Sequence, residues 1–96
     1  MEQTSKVGTH KTTVGTIDGM TAVTYHRTVV IKWDNEKIVL NSGGWMSNTT
    51  KLRINQAATQ FNLPVSVYQK QGTWFVVKDR NWNNPIPFVD GMTINR

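Results

Sequence analysis

The chain contains no cysteine, which removes disulfide frameworks and thiolate metal sites together and leaves the redox compartment open. It has no apolar run approaching the ~18 residues of a membrane-spanning helix. Its start, Met1-Glu2-Gln3-Thr4-Ser5-Lys6, lacks the apolar core of a leader peptide. The expectation is a soluble protein of the cytoplasm, with no membrane partner. Histidine is scarce too. His10 lies in a polar N-terminal stretch, and His26 sits between Tyr25 and Arg27 at a strand junction, where a hydrogen-bonded structural histidine is the common outcome. The acids Asp18, Asp34, Glu36, Asp79 and Asp90 mostly occupy turn sequences, none of them at metal-ligand spacing from a histidine, and no serine nucleophile motif is present. The reading is a non-enzyme without cofactor or metal.

The most informative scarcity concerns one sign of charge. Residues 37–78 hold no carboxylate, but they do hold Lys37, Lys51, Arg53, Lys70 and Lys78, which together equal the net charge of +5. Basic and acidic groups cancel over the rest of the chain. Such a balance favours anionic partners, although +5 is also an ordinary solubility charge for a small protein.

What is present makes one domain. Ninety-six residues provide a single modest core, with 38% hydrophobic and 18% charged residues and much uncharged polar surface from thirteen Thr and nine Asn. Four Trp, three Phe and two Tyr supply the bulk for burial. Residues 1–12 offer nothing to bury and read as a flexible arm, leaving 13–96 as the domain. Met20 to His26 alternates weakly, Thr28 to Trp33 is a near-continuous β-branched run, and Ile38-Val39-Leu40 returns after the turn residues Asp34 to Lys37. The period then changes. Thr50, Ile54, Ala57, Ala58 and Phe61 mark one face of a helix that Ser47 or Asn48 caps and Asn62-Leu63-Pro64 ends. A second hairpin, 65–70 with 73–78, turns at Gln71-Gly72. The prolines confine 86–89 to a sheet edge or an extended arm. Asp-Gly-Met-Thr occurs at 18–21 and again at 90–93, which reads as two Asp-Gly turns leading into similar strands. The pattern predicts an α+β fold: an antiparallel sheet of about five or six strands with a single helix on one face, in the order strands, helix, strands.

The runs Tyr25-His26-Arg27-Thr28-Val29-Val30, Leu40-Asn41-Ser42-Gly43-Gly44-Trp45 and Thr49-Thr50-Lys51-Leu52-Arg53-Ile54-Asn55-Gln56 carry a resemblance, together with Val67-Tyr68-Gln69-Lys70 and Trp74-Phe75-Val76. They resemble a group of small proteins of tailed phages, over about residues 25 to 77. The most specific part is Asn-Ser-Gly-Gly-Trp leading into Thr-Thr-Lys-x-Arg-x-Asn. The resemblance implies a viral origin and a compact cytoplasmic protein. It assigns no activity and no catalytic residue.

The candidate site is the junction before the helix. Gly43 and Gly44 make a strand-to-helix turn anchored by Trp45, which is a structural role in itself. Helix amides near 46–49, the hydroxyls of Thr49 and Thr50, and Lys51 and Arg53 are expected to receive a phosphate there. The spacing is not that of a phosphate-binding P-loop. Asn55 faces outward with Asn48, Leu52, Gln56 and Thr59, where amides could meet base edges; a recognition helix is not expected, since no second helix accompanies it. Lys70, Arg80 and Trp82 extend the candidate surface, the last as the tryptophan most expected to be exposed and able to stack a base or anchor a protein contact. Tyr68 shares a solvated face with Ser66 and Lys70, whereas alternation leaves the side of Trp74 undecided. The leading expectation is a binding protein for nucleic acid or a nucleotide. The alternatives are a phage protein that binds and inhibits a host or defence protein, and a virion or assembly component. Oligomeric state is open.

Overall fold

The computed structural model describes residues 12–44 and 47–96. The expected arm therefore lies outside the described residues except for Thr12, as do His10 and Trp45. Strands β1 (Thr12–Ile17), β2 (Met20–Tyr25), β3 (Thr28–Trp33) and β4 (Lys37–Leu40) precede the helix α1 (Asn48–Gln60). Strands β5 (Val65–Lys70), β6 (Thr73–Lys78), β7 (Ile86–Pro87) and β8 (Met92–Asn95) follow it. The α+β class and the strands–helix–strands order are as expected. The strands divide between two antiparallel sheets, one in the order β1-β2-β3-β4-β8 and one in the order β5-β6-β7. Strand β1 carried no apolar signal in the sequence: Thr13 to Ile17 are exposed, and the strand joins the sheet by pairing with β2.

Turn chemistry sets the hairpins. Asp18 and Gly19 both have positive φ (53° and 77°), as do Gln71 and Gly72 (52° and 80°), the pattern of a tight turn matched to strand twist. The second Asp-Gly pair behaves differently, with only Gly91 left-handed, at φ 80°. There the Met92 amide donates to the Val89 carbonyl, and the Gly91 amide donates to Leu40 of the neighbouring strand. One tetrapeptide thus makes two turns, each leading into a strand. Between β3 and β4 the Asp34 carboxylate accepts from the Glu36 and Lys37 amides at 2.8 and 2.9 Å. Those two bonds, Glu36 first, hold its pKa below the ordinary 3.8.

Helix α1 starts where the Ser47 hydroxyl accepts from the Thr50 amide at 3.2 Å. It stops at Asn62, left-handed at φ 55°, where the Leu63 amide returns to the Ala58 carbonyl at 2.8 Å. Pro64 prevents continuation. Its inner face packs on β2, β3 and β5, so the helix bridges the two sheets. Ile54 and Ala57 meet Val23, Ile31, Trp33 and Leu40 from the first sheet and Val65, Val67, Trp74 and Val76 from the second, in one core. Each large aliphatic side chain buried there contributes about 1.5–3 kcal/mol. Trp33 packs on Phe61 at 4.8 Å between ring centroids, and Trp74 on Phe88 at 5.3 Å.

Candidate nucleic-acid interface

The helix start is a hydrogen-bonded corner. Asn41 Oδ1 accepts from the Gly43 amide at 2.8 Å, and Ser42 Oγ accepts from the Gly44 amide at 3.2 Å. The Ser42 amide and hydroxyl both donate to Asp90 Oδ1, at 2.8 and 2.7 Å, which ties this loop to the turn before β8. Gly43 is required twice over: its φ is 63°, and a Cβ there would collide with the Thr28 side chain. Thr50 is fully buried, its hydroxyl 3.1 Å from that of Ser47. Thr49 is half-buried and lines a cleft of about 800 Å3 together with Ser42, Ser47, Thr28, His26 and Arg27. The cation facing this corner is thus Arg27, from the β2–β3 turn, which the sequence reading passed over. His26 occupies that turn at φ 58° and meets the Tyr25 ring edge-on at 4.4 Å.

The cations expected beside the helix start are engaged elsewhere. Arg53, read as a surface counter-charge, is only 5% exposed. Its Nε donates to Thr12 Oγ1 at 2.9 Å, one Nη donates to Gln56 Oε1 at 3.0 Å, and the guanidinium lies 5.7 Å from the Tyr25 ring centroid. Lys51 Nζ donates to Gln69 Oε1 at 3.0 Å and sits 5.6 Å from the Trp74 ring. Asn55, expected to face outward, donates to the Val67 carbonyl and accepts from the Val67 amide, both at 2.8 Å. It stitches α1 to β5, and its amide is not free to meet a base edge. Gln56, also expected outward, is buried. The helix is so poor in large apolar residues that its polar side chains are drawn into the packing.

The remaining three predicted residues belong to a different surface. On the outer face of the second sheet, alternation aligns Ser66, Tyr68 and Lys70 on β5. Tyr68 stands opposite Phe75 of β6, which stands opposite Pro87 of β7. Tyr68 and Phe75 stack at 5.5 Å with ring planes 25° apart. Trp82 leans against Tyr68 at 5.7 Å and remains 58% exposed. Trp74 takes the opposite side of β6 and is buried, so Phe75 is its outward counterpart; only the packing of Trp74 and Val76 into the core decides this. Lys70 and Arg80 are exposed, Lys70 two residues beyond Tyr68 on the same side of β5 and Arg80 two residues before Trp82. Arg80 follows Asp79 in a turn where both are left-handed, at φ 58° and 53°, closed by the Asn81 amide on the Lys78 carbonyl.

Among the described residues no cluster of His, Asp and Glu is arranged to hold a metal, and no helix is long and apolar enough to cross a membrane. Fold and surface thus define a small α+β protein with a partly exposed aromatic face in which Trp82 is the exposed ring. The sequence matches the model of the Kyanoviridae Gp96 protein family over residues 1–95, and the chain belongs to that family. It is a protein of tailed phages. No curated protein and no solved structure matches it.

Proposed function

We propose that this phage protein is a non-enzymatic binder of nucleic acid, and that it takes single strands on the aromatic face of β5 and β6. The observation that carries the reading is Trp82, more than half exposed, leaning on the Tyr68–Phe75 stack with Lys70 and Arg80 alongside. Every base has a π-face, so stacking on such rings tolerates sequence and contributes about 1–3 kcal/mol per base. The cations serve the phosphates. A duplex presents its bases already stacked and offers these rings nothing comparable. Thr49 fits this reading only as part of the wall of a separate hydroxyl-lined cleft, in which Arg27 could receive a phosphate or a nucleotide, and Gly43 and Gly44 only as the turn that follows Ser42.

Labelled single-stranded oligomers should bind at low salt with an affinity that falls as salt rises, by a log–log slope of roughly 0.7 for each phosphate contacted. Trp82→Ala should weaken binding about tenfold without changing the unfolding midpoint. Absence of binding by any oligomer at micromolar protein would end the proposal.

One observation favours a second reading, a contact with a host or defence protein. Trp82, Ile86 and Val89 are exposed within one short segment at 58%, 42% and 61%. A partner held by that segment would bind with little salt dependence and would be lost on Val89→Ser, which the nucleic-acid reading leaves unaffected.

A further inference from the structure

Next to the aromatic face lies a cleft of about 490 Å3 at the C-terminal end of α1, lined among others by Thr59, Asn62, Ser66, Asp79 and Arg80. Ser66 precedes Tyr68 by one step on the same face of β5, about 7 Å along the strand. Arg80 precedes Trp82 by two residues. The cleft and the rings are therefore consecutive stations on one surface. Three of its lining residues, Asn62, Asp79 and Arg80, hold left-handed backbone at φ 55°, 53° and 58°. Asn62 and Asp79 adopt this conformation readily, and of the three only Arg80 is strained by it. Among the described residues, neither the Asp79 carboxylate nor the Arg80 guanidinium has a hydrogen-bonding or ionic partner. The Asp79 backbone amide, by contrast, is fixed on the Pro64 carbonyl at 2.9 Å, so the carboxylate is carried on an anchored residue.

The chemistry of this lining selects its occupant. The carbonyl end of α1 is the negative pole of the helix, and Asp79 adds a full negative charge. Arg80 on the same lining offsets that charge and can meet a phosphate at the rim, while a group with adjacent N–H donors is drawn to the carboxylate. Among the bases, guanine presents two neighbouring donors on one edge, N1–H and the 2-amino group, to which a carboxylate can accept side by side. Adenine offers a single amino group on its corresponding edge. We infer that the cleft is a guanine subsite, which takes the base adjoining the one stacked on Tyr68 and Trp82 while Arg80 meets the intervening phosphate. The inference rests on the single-strand reading above and adds a base preference to it.

The test is fluorescence anisotropy with short labelled oligothymidylates carrying one central guanine, hypoxanthine or adenine. The guanine strand should bind about tenfold tighter than the adenine strand, with hypoxanthine, which lacks the 2-amino group, between them. Asp79→Asn should erase that preference and leave the adenine strand within about twofold. Asparagine accepts left-handed backbone readily, so this variant keeps the turn. Trp82→Ala should weaken all three strands alike and preserve their ratio. Equal binding of the three strands by the wild-type protein overturns the subsite while Trp82-dependent binding leaves the stacking reading intact. A guanine preference that survives Asp79→Asn also overturns it. An arginine-containing peptide that displaces the guanine strand at lower concentration than free guanine strand does would assign the cleft to a protein side chain instead. If no strand binds, both readings fall together.

Discussion

The two ends of helix α1 carry opposite lessons about where a site can be. At its N-terminal end the amides of Gly43, Gly44 and Thr50 each have an acceptor, Asp90 holds Ser42, and Arg53 is folded inward. At its C-terminal end Asp79, Arg80 and Trp82 stand exposed on a turn with left-handed backbone. The first end has the sequence signature of anion binding, and most of its polar groups are consumed by the scaffold. The second has no recognisable motif, and its polar and aromatic groups are unspent. A ligand can be held only by groups that the fold leaves over.

Three measurements would break or sharpen this contrast. The largest effect is expected from Arg53→Ala. It removes a buried cation together with its hydrogen bonds to Thr12 and Gln56, which should cost about 3 kcal/mol in denaturant unfolding. The salt slope of oligomer binding should not change; a lower slope with intact stability would return Arg53 to the ligand surface. The next effect separates an exposed cation, Arg80, from a half-buried one, Lys51. Arg80→Ala should reduce the single-strand salt slope by roughly 0.7, whereas Lys51→Ala, whose ammonium is held by Gln69, should leave it unchanged. Equal reductions would erase the distinction between the two ends.

The smallest effect concerns pH. The amides of Glu36 and Lys37 hold the folded Asp34 carboxyl below its ordinary 3.8. The unfolded state therefore binds the proton more readily. The stabilising contribution is complete above 3.8 and is lost as pH falls through the lower, folded value. Asp34→Asn should lose less thermal stability than the wild type between about pH 5 and about pH 2.5. Parallel losses in the two proteins would show that the charge of Asp34 does not matter to the turn.

Much of the fold was legible because it rests on local rules. The β-branched run of β3 and the three- and four-residue spacing of Ile54, Ala57, Ala58 and Phe61 announce their elements. So do Gln71-Gly72 and the two Asp-Gly pairs, for which positive φ is inexpensive. Strand β1 was not legible, since its exposed threonines carry no apolar alternation and it is ordered by the ladder to β2 and by the long-range bond from Arg53 to Thr12. The division into two sheets was hidden as well, because which strands share hydrogen bonds is a long-range choice. At the site, the exposure of Trp82 could be read from its polar neighbours, but Arg53 and Asn55 could not be placed. Their side chains are drawn inward by the shortage of apolar bulk on the helix.

Sequence alone determined the elements other than β1, their order and the positive charge, because backbone preference and ionisation belong to each residue and its nearest neighbours. The tertiary structure alone decided which cations and amides are spent inside the scaffold. It also decided that Tyr68, Phe75 and Trp82 meet on one face. The reason is physical: whether a polar group is satisfied and a ring exposed depends on partners dozens of residues away, as the pairing of Ser42 with Asp90 shows.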